Sequence, residues 1–124
     1  MVLPSDLKYT VEHAWLKIRG DKARLGITDY ILEQLGDVNY IDLPEVGTMF
    51  SAGDVFTEVE TSKTTLEITS PVSGEVISVN EELRDSPGNL NDDAFASWIV
   101  QIKLSDDTEL DDLLTADEYE EEIG

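Results

Sequence analysis

The sequence is dominated by short segments in which apolar and polar residues alternate, and this pattern constrains the fold more than any other feature. Alternation with a period of two is typical of β-strands that bury one face. The segments end at glycine, proline or asparagine residues, which favour turns. They span residues 14–18, 22–27, 38–43, 55–61, 75–79 and 97–104, and Leu66 and Ile68 continue the pattern after a turn at Lys63. Many short strands of this kind predict a mainly β fold, a small sandwich or barrel.

The segment at residues 55–61 is expected to alternate along its whole length. A strict period of two places one set of side chains on one face, Val55, Thr57 and Val59, and another set on the opposite face, Phe56, Glu58 and Glu60.

Three short helices are predicted beside the strands. Thr28 or Asp29 is a suitable N-cap for a helix over residues 30–35, and Gly36 ends it. The C-terminal part predicts helices over 109–114 and 116–122, and Thr115 is a suitable cap for the second. No linker is visible, so we expect one domain over residues 1–124, with an acidic helical tail at about 106–124.

The residue types leave little chemistry to the chain itself. It has no cysteine and a single histidine, His13, so a disulfide framework, a thiolate nucleophile and a histidine-rich metal site are excluded. No phosphate-binding loop or dinucleotide fingerprint is present. We therefore predict a protein that is not an enzyme in its own right and binds no metal.

The chain is strongly acidic. Eight Lys and Arg residues against 28 Asp and Glu residues give a net charge of −20, and residues 106–122 contain ten acids and no Lys or Arg. Such a surface repels nucleic acid and anionic membranes, because phosphate binding needs cationic groups. Solubility, adaptation to salt and faster encounter with basic protein partners all account for the charge. The sequence leaves these explanations open, and the acidic tail is expected to be a solvated face.

No stretch of the sequence is apolar for the length of a transmembrane helix, and the N-terminal residues do not form a signal peptide pattern. We expect a monomer in the cytoplasm, or in the mitochondrial matrix for a processed eukaryotic form.

Lys63 is the residue best suited to take part in a chemical modification. It lies in a strand–turn–strand pattern over residues 59–68, so we expect it at the tip of a hairpin, exposed to a modifying enzyme. Glu60 and Glu67 flank the turn and either position that enzyme or are ordinary solvated carboxylates. A lysine in a polar turn is also compatible with no function at all, and this feature alone does not decide between the two.

Six segments in order resemble one known family, the glycine cleavage system H protein. They are Lys8-Tyr9-Thr10 with His13 and Trp15, residues 26–30 together with 33–37, residues 43–47, the segment around Lys63, residues 70–76 with Val79-Asn80, and Trp98 with the late Leu113-Leu114 and Glu118-Tyr119. The resemblance covers residues 8–121.

The resemblance implies a barrel-sandwich hybrid of the lipoyl- or biotinyl-carrier type with lipoate attached to Lys63. The lipoyl disulfide would accept an aminomethyl group from the pyridoxal-phosphate-dependent glycine decarboxylase. It would then deliver that group to the tetrahydrofolate-dependent aminomethyltransferase and be reoxidised by the flavin enzyme dihydrolipoamide dehydrogenase. A lipoate-attaching enzyme is a further implied partner. Taken with such a cofactor, Glu60, Glu67 and His13 are the candidate residues beside the lipoyl arm, although for His13 a structural role near the start of a strand is the favoured interpretation.

Six positions depart from the family pattern. The lysine segment reads Glu60-Thr61-Ser62-Lys63-Thr64 where the family usually has Glu-Ser-Val-Lys-Ala, and Glu67 replaces an aspartate. Ala14 stands where the family usually has a glutamate for the carried amine, and Ser97 replaces a glycine. These departures favour an alternative, an H-like lipoyl carrier in sulfur oxidation or lipoate relay. A free-standing acyltransferase-type lipoyl or biotinyl domain explains the lysine segment but not residues 8–47.

Overall fold

The computed structural model of the chain describes residues 3–123, which are arranged in two antiparallel sheets with a few short helices. The prediction of a mainly β fold is confirmed. The strands within this range are β1 (Lys8–Tyr9), β2 (Ala14–Arg19), β3 (Lys22–Ile27), β4 (Val38–Asp42), β5 (Met49–Phe50), β6 (Val55–Thr61), β7 (Thr65–Thr69), β8 (Gly74–Val79) and β9 (Val100–Leu104). The helices are α1 (Asp29–Leu35), α2 (Glu82–Asp85), α3 (Asn89–Asp92), a 3₁₀ helix (Asp107–Asp112) and α4 (Ala116–Ile123).

The sheet topology places the late strand β9 in the middle of the larger sheet. That sheet has six strands in the order β1-β2-β3-β9-β8-β5, and the smaller sheet has three in the order β4-β6-β7. Both sheets contribute to one apolar core, which includes Leu25 and Ile102 from the larger sheet and Val59 and Ile68 from the smaller one. The core therefore fixes the hairpin of β6 and β7 against the rest of the molecule.

The strand β6 is less regular than its sequence predicts. The prediction that Val55, Thr57 and Val59 share one face is wrong for Val55, because the pairing with β7 shifts between Val55 and Thr57. Such a bulge puts two successive residues on similar sides of the strand. Phe56 and Thr57 are both buried, whereas Val55 is 41% exposed. The Thr57 hydroxyl is satisfied by donating to the Asp42 carbonyl at 2.9 Å.

Several predicted boundaries shift by a few residues. The first helix begins at Asp29, with Thr28 as an N-cap whose side chain makes no capping hydrogen bond, and Gly36 ends it with φ of 84°. The strand expected over 97–104 begins only at Val100, because the Ser97 hydroxyl instead donates to the Asn89 carbonyl at 3.0 Å. The helix expected over 109–114 is the 3₁₀ helix at Asp107–Asp112.

The acidic tail is packed against the sheet and is not simply a solvated face. Thr115 caps α4 as expected: its hydroxyl accepts from the Glu118 amide at 3.2 Å, and the Glu118 carboxylate accepts from the Thr115 amide at 3.0 Å. Leu114 forms a two-way backbone bridge with Tyr9 at 2.8 Å. The Tyr119 ring is fully buried and stacks on the Tyr9 ring, with centroids 5.0 Å apart. The acidic residues of α4 therefore face solvent around one buried aromatic anchor.

Among residues 3–123, no helix has the length and apolar character needed to span a bilayer.

Candidate functional site

The turn between β6 and β7 places Lys63 at the tip of a hairpin. β6 ends at Thr61 and β7 begins at Thr65, so Lys63 lies in the connecting turn, and its side chain is exposed. Within the part of the chain that the structure describes, its ammonium group has no carboxylate within ion-pair distance. The predicted presentation of this lysine agrees with the geometry.

Thr61 holds the turn in shape. Its hydroxyl accepts from the amides of Lys63 and Thr64, both at 3.2 Å, and lies 3.2 Å from the Thr64 carbonyl, to which it can donate. The Thr61 amide also donates to the Thr64 carbonyl at 2.9 Å. A threonine hydroxyl that closes a turn on its own backbone reduces the conformational freedom of that turn. The sequence analysis missed this role, for which a threonine two residues before the exposed lysine was the available signal.

The carboxylates that flank the lysine lie on the outer face of the smaller sheet. Glu58 is directly opposite Glu67, and Glu60 is opposite Thr65, so Glu60 and Glu67 are diagonal neighbours. Diagonal residues of this kind are about 7–8 Å apart. Asp42 on β4 lies opposite Glu58 on the other side. The structure thus brings together the two predicted acids and adds Glu58 and Asp42, which the sequence analysis did not select.

The acidic outer face has a simple electrostatic consequence. Like charges in cross-strand pairs repel, and no described cation forms an ion pair with Glu58, Glu60 or Glu67. An approaching protein with a basic surface would relieve that repulsion and be steered toward the hairpin tip. These carboxylates can therefore help to orient a partner beside Lys63.

His13 occupies a structural position at the start of β2. Its φ of 73° is the one positive value of a non-glycine residue in the range 3–123. Its Nδ1 lies 2.8 Å from the Tyr119 hydroxyl, which is also 2.8 Å from Oγ1 of Thr28, and its ring is 5.3 Å from that of Tyr30. The histidine thus joins β2 to the C-terminal helix. No hydrogen bond among the described residues connects it to Lys63, Glu60 or Glu67, and its expected place near the cofactor remains a prediction.

The Tyr119 hydroxyl connects three segments that are far apart in sequence, and its removal is expected to destabilise the fold. Tyr119→Phe leaves His13 and Thr28 without their shared partner, and we expect a loss of about 1–3 kcal/mol in the free energy of unfolding. Urea denaturation measures it. Tyr40→Phe is the matched control, since Tyr40 is 53% exposed, and it should be close to neutral. Equal stability of the two variants would contradict the structural role of this hydroxyl.

The position of His13 beside Tyr119 also predicts that the free energy of unfolding depends on pH. Burial lowers the pKa of His13 below its ordinary value, and the charge of Glu12 opposes this shift only in part. The unfolded chain therefore binds a proton on His13 more readily than the folded protein does. The contribution of His13 to stability is full above its unfolded pKa, near 6.5, and is lost as the pH falls through the lower folded value.

Urea denaturation between pH 7.5 and pH 5 tests this prediction by comparison with His13→Asn. Asparagine tolerates a positive φ and does not titrate in this range. The wild type should lose more stability on acidification than the variant does. If the free energy of unfolding changed with pH equally in the two proteins, His13 would not contribute to the pH dependence.

Ala14 is one of the positions at which the sequence departs from the family pattern. Its side chain is fully buried in the main core, and its amide donates to the Thr10 hydroxyl at 3.1 Å. This position therefore supplies packing to the core and no carboxylate for a carried amine.

Two antiparallel sheets that share one core and display an exposed lysine at a hairpin tip define a carrier domain of the lipoyl-carrier barrel-sandwich class. A protein-family model described as "Glycine cleavage H-protein" matches residues 7–124. The chain belongs to the glycine cleavage H-protein family.

Individual relatives agree with this assignment. The "Glycine cleavage system H protein" of Staphylococcus haemolyticus is 47% identical over 125 residues, covering 100% of this chain and 99% of the relative. The protein of the same description from Staphylococcus epidermidis strain RP62A is 45% identical with the same coverage. A crystal structure of a glycine cleavage system H protein from Mycobacterium marinum matches with a TM-score of 0.85 and 36% identity, covering 94% of this chain and 95% of that one.

Membership in this family answers the main functional question raised by the sequence. The chain is a lipoyl carrier component of the glycine cleavage system and is not itself catalytic. The family implies lipoate as the cofactor and the other components of the system as partners.

Proposed function

We propose that Lys63 is the residue that carries lipoate, through an amide on its Nζ. The observation that carries the proposal is the exposed position of Lys63 at the tip of a turn closed by the Thr61 hydroxyl. A turn with a fixed backbone holds the base of the lysine side chain in place, so less entropy is lost when an attaching enzyme binds the segment. An amine reacts only in its neutral form, and the enzyme must therefore take up the proton while the chain supplies the position.

The residues around Lys63 fit the cofactor. The amine has no competing ion pair within residues 3–123, and the acidic face of Glu58, Glu60 and Glu67 lies beside it. When attached, lipoate supplies a redox-active disulfide that can carry a one-carbon amine fragment. The chain has no cysteine, so no thiol of its own can exchange with that disulfide. The scaffold therefore keeps the cofactor available to other proteins.

We further propose that the carrier serves four partners in the cytoplasm. These are a lipoate-attaching enzyme, the pyridoxal-phosphate-dependent glycine decarboxylase, the tetrahydrofolate-dependent aminomethyltransferase and the FAD-dependent dihydrolipoamide dehydrogenase. The charge of −20 supports encounter with partners that offer basic docking surfaces. A monomer that leaves the hairpin of Lys63 uncovered fits this succession of partners.

A second candidate function is an H-like lipoyl carrier in another pathway, sulfur oxidation or lipoate relay. The observation that favours it is Ala14, a fully buried apolar side chain where the family usually has a glutamate. Without that carboxylate, a carried amine would have to find a different hydrogen-bond acceptor.

Glycine–bicarbonate exchange with purified glycine decarboxylase separates the two functions. The carrier is prepared unmodified and fully lipoylated, with intact mass to verify the modification. We expect exchange with the lipoylated form only. Full lipoylation without exchange would contradict the proposed role in glycine cleavage and would favour the second candidate. Exchange with the unmodified form would contradict a lipoate-dependent function altogether.

A further inference from the structure

The cations of this acidic chain are concentrated on one face of the larger sheet. Of eight Lys and Arg residues in the sequence, five lie on β2, β3 and β9. They are Lys17, Arg19, Lys22, Arg24 and Lys103, and we call them the cationic face. Without these five charges, the net charge of −20 becomes −25 for the rest of the chain. The charge distribution is therefore strongly asymmetric.

The strand register gathers the five side chains into a compact grid. Lys17 lies opposite Arg24, and Arg19 lies opposite Lys22, which in turn lies opposite Lys103. The residues between them, Ile18, Ala23 and Ile102, point into the protein, where Ala23 and Ile102 are buried. With strands about 4.8 Å apart and alternate residues about 7 Å apart, the grid measures roughly 7 by 10 Å.

Within residues 3–123, the five side chains of the cationic face form no ion pairs with acidic residues. The one ion pair within residues 3–123 joins Arg84 to Glu81, which are elsewhere. Two acids are close by position: Asp21 in the β2–β3 turn, and Glu75 on β8, opposite Lys103. Like charges in directly opposite positions destabilise a sheet. Although the chain contains 28 acids, these five neighbouring cations have no ion-pair partner within residues 3–123.

The shape of the cationic face favours a small ligand over a protein. Four of its cations, Lys17, Arg19, Lys22 and Arg24, line a shallow cavity of about 190 Å³ together with Gln101. The large hydrophobic side chains that are exposed in the described range, Val11, Tyr40, Val46, Met49 and Val55, all lie on other segments. Protein interfaces usually have an extended apolar and aromatic centre, which the single half-buried Trp98 ring beside Arg24 does not provide.

One of the cations is already oriented. The guanidinium carbon of Arg24 lies 4.7 Å from the centroid of the Trp98 ring. Stacking on an aromatic ring restricts the guanidinium and leaves its N–H groups available to an anion.

We propose that the cationic face is a binding site for a compact multivalent phosphate, either a polyphosphate chain or the phosphate groups of a nucleotide. The two arginines offer forked donors to phosphate oxygens, and the three lysines add point charges. Long polyanions such as nucleic acid are repelled by the −25 charge of the surrounding surface, which a small ligand largely avoids. The site lies on the outer face of the larger sheet, whereas Lys63 belongs to the hairpin of the smaller one. The proposal does not depend on lipoylation.

Isothermal titration of the unmodified protein with inorganic tripolyphosphate, and separately with ATP, tests the proposal without magnesium at an ionic strength of about 0.15 M, where the Debye length is about 8 Å. The patch variant is Lys22→Gln/Arg24→Gln. The control is Lys8→Gln/Arg84→Gln, which changes the net charge by the same amount outside the cavity lining. We expect binding of tripolyphosphate that weakens at least tenfold in the patch variant and less than twofold in the control.

The two ligands also distinguish the sources of the phosphate. Equal affinity for tripolyphosphate and ATP would support a site for phosphate chains, and tighter binding of ATP would support a nucleotide site. No binding of either ligand, or equal weakening in both double variants, would overturn the proposal. Titration with a decaglutamate peptide tests an acidic protein partner. Binding of this peptide without binding of tripolyphosphate would also overturn the proposal and would indicate such a partner. Thermal unfolding verifies that both variants are folded.

Discussion

Lys63→Arg is expected to abolish lipoylation of this chain. The substitution keeps the positive charge and the length of the side chain, but a guanidinium stays protonated and does not form the amide. The turn itself should be unchanged, because the Thr61 hydroxyl bonds to the backbone of residues 63 and 64 and not to the lysine side chain. Incubation with a lipoate-attaching enzyme, lipoate and ATP, followed by intact-mass measurement, should show no modified protein.

Lys8→Arg is the matched control for this experiment. Lys8 is an exposed lysine on β1, so the same chemical change is made at a strand position away from the hairpin tip. This variant should be lipoylated as completely as the wild type and should support glycine–bicarbonate exchange. Lipoylation of the Lys63→Arg protein would show that another lysine carries the cofactor.

Gly26→Ala is expected to be among the most destabilising single substitutions in the chain. A Cβ at this position would lie 2.3 Å from the indole ring of Trp15, its cross-strand neighbour. The ring cannot easily move, because it is buried and its Nε1 donates to the Ala94 carbonyl at 3.1 Å. Overpacking of this kind typically reduces the free energy of unfolding by about 1–3 kcal/mol, and we expect a value at the upper end. Urea denaturation measures the change.

Gly88→Ala provides the control for the glycine substitution. Gly88 has φ of −64°, which alanine adopts without strain, and a Cβ there would have no neighbour within 4 Å. A compatible Gly→Ala change stabilises a protein by about 0.4–1 kcal/mol through the unfolded state. The two variants should therefore shift stability in opposite directions. A stable Gly26→Ala protein would mean that Trp15 packs differently from the arrangement described above.

The sequence was most informative where local patterns were long and regular. The β2–β3 hairpin was predicted within one residue, because residues 16–19 and 22–25 alternate on either side of the turn pair Gly20-Asp21. The bulge between Val55 and Thr57 was missed, although the alternation breaks there: Val55 and Phe56 are both apolar, and Thr57 and Glu58 are both polar. The strands β1 and β5 have two residues each, and α2 and α3 have four, which is too short for a period to be recognised.

At the candidate site too, features of a local segment were predicted and contacts between distant segments were not. Lys63 and its flanking acids Glu60 and Glu67 were selected from a local segment, and the structure places them on one hairpin. The partners of His13 were not predictable, because the Tyr119 hydroxyl is 106 residues away in the sequence. The cationic face was missed for a similar reason: its members are scattered over residues 17–103 and meet only through strand pairing.

The measurement that tests the central claim most directly is a peptide map of the lipoylated wild-type protein. Cleavage after glutamate at Glu60 and Glu67 releases residues 61–67, a peptide in which Lys63 is the sole lysine. We predict one lipoyl group on this peptide and none on the peptides that contain Lys8, Lys17, Lys22 or Lys103. A lipoyl group on any of the other lysines, or an unmodified 61–67 peptide from protein that has gained the mass of lipoate, would contradict the assignment of Lys63 as the carrier residue.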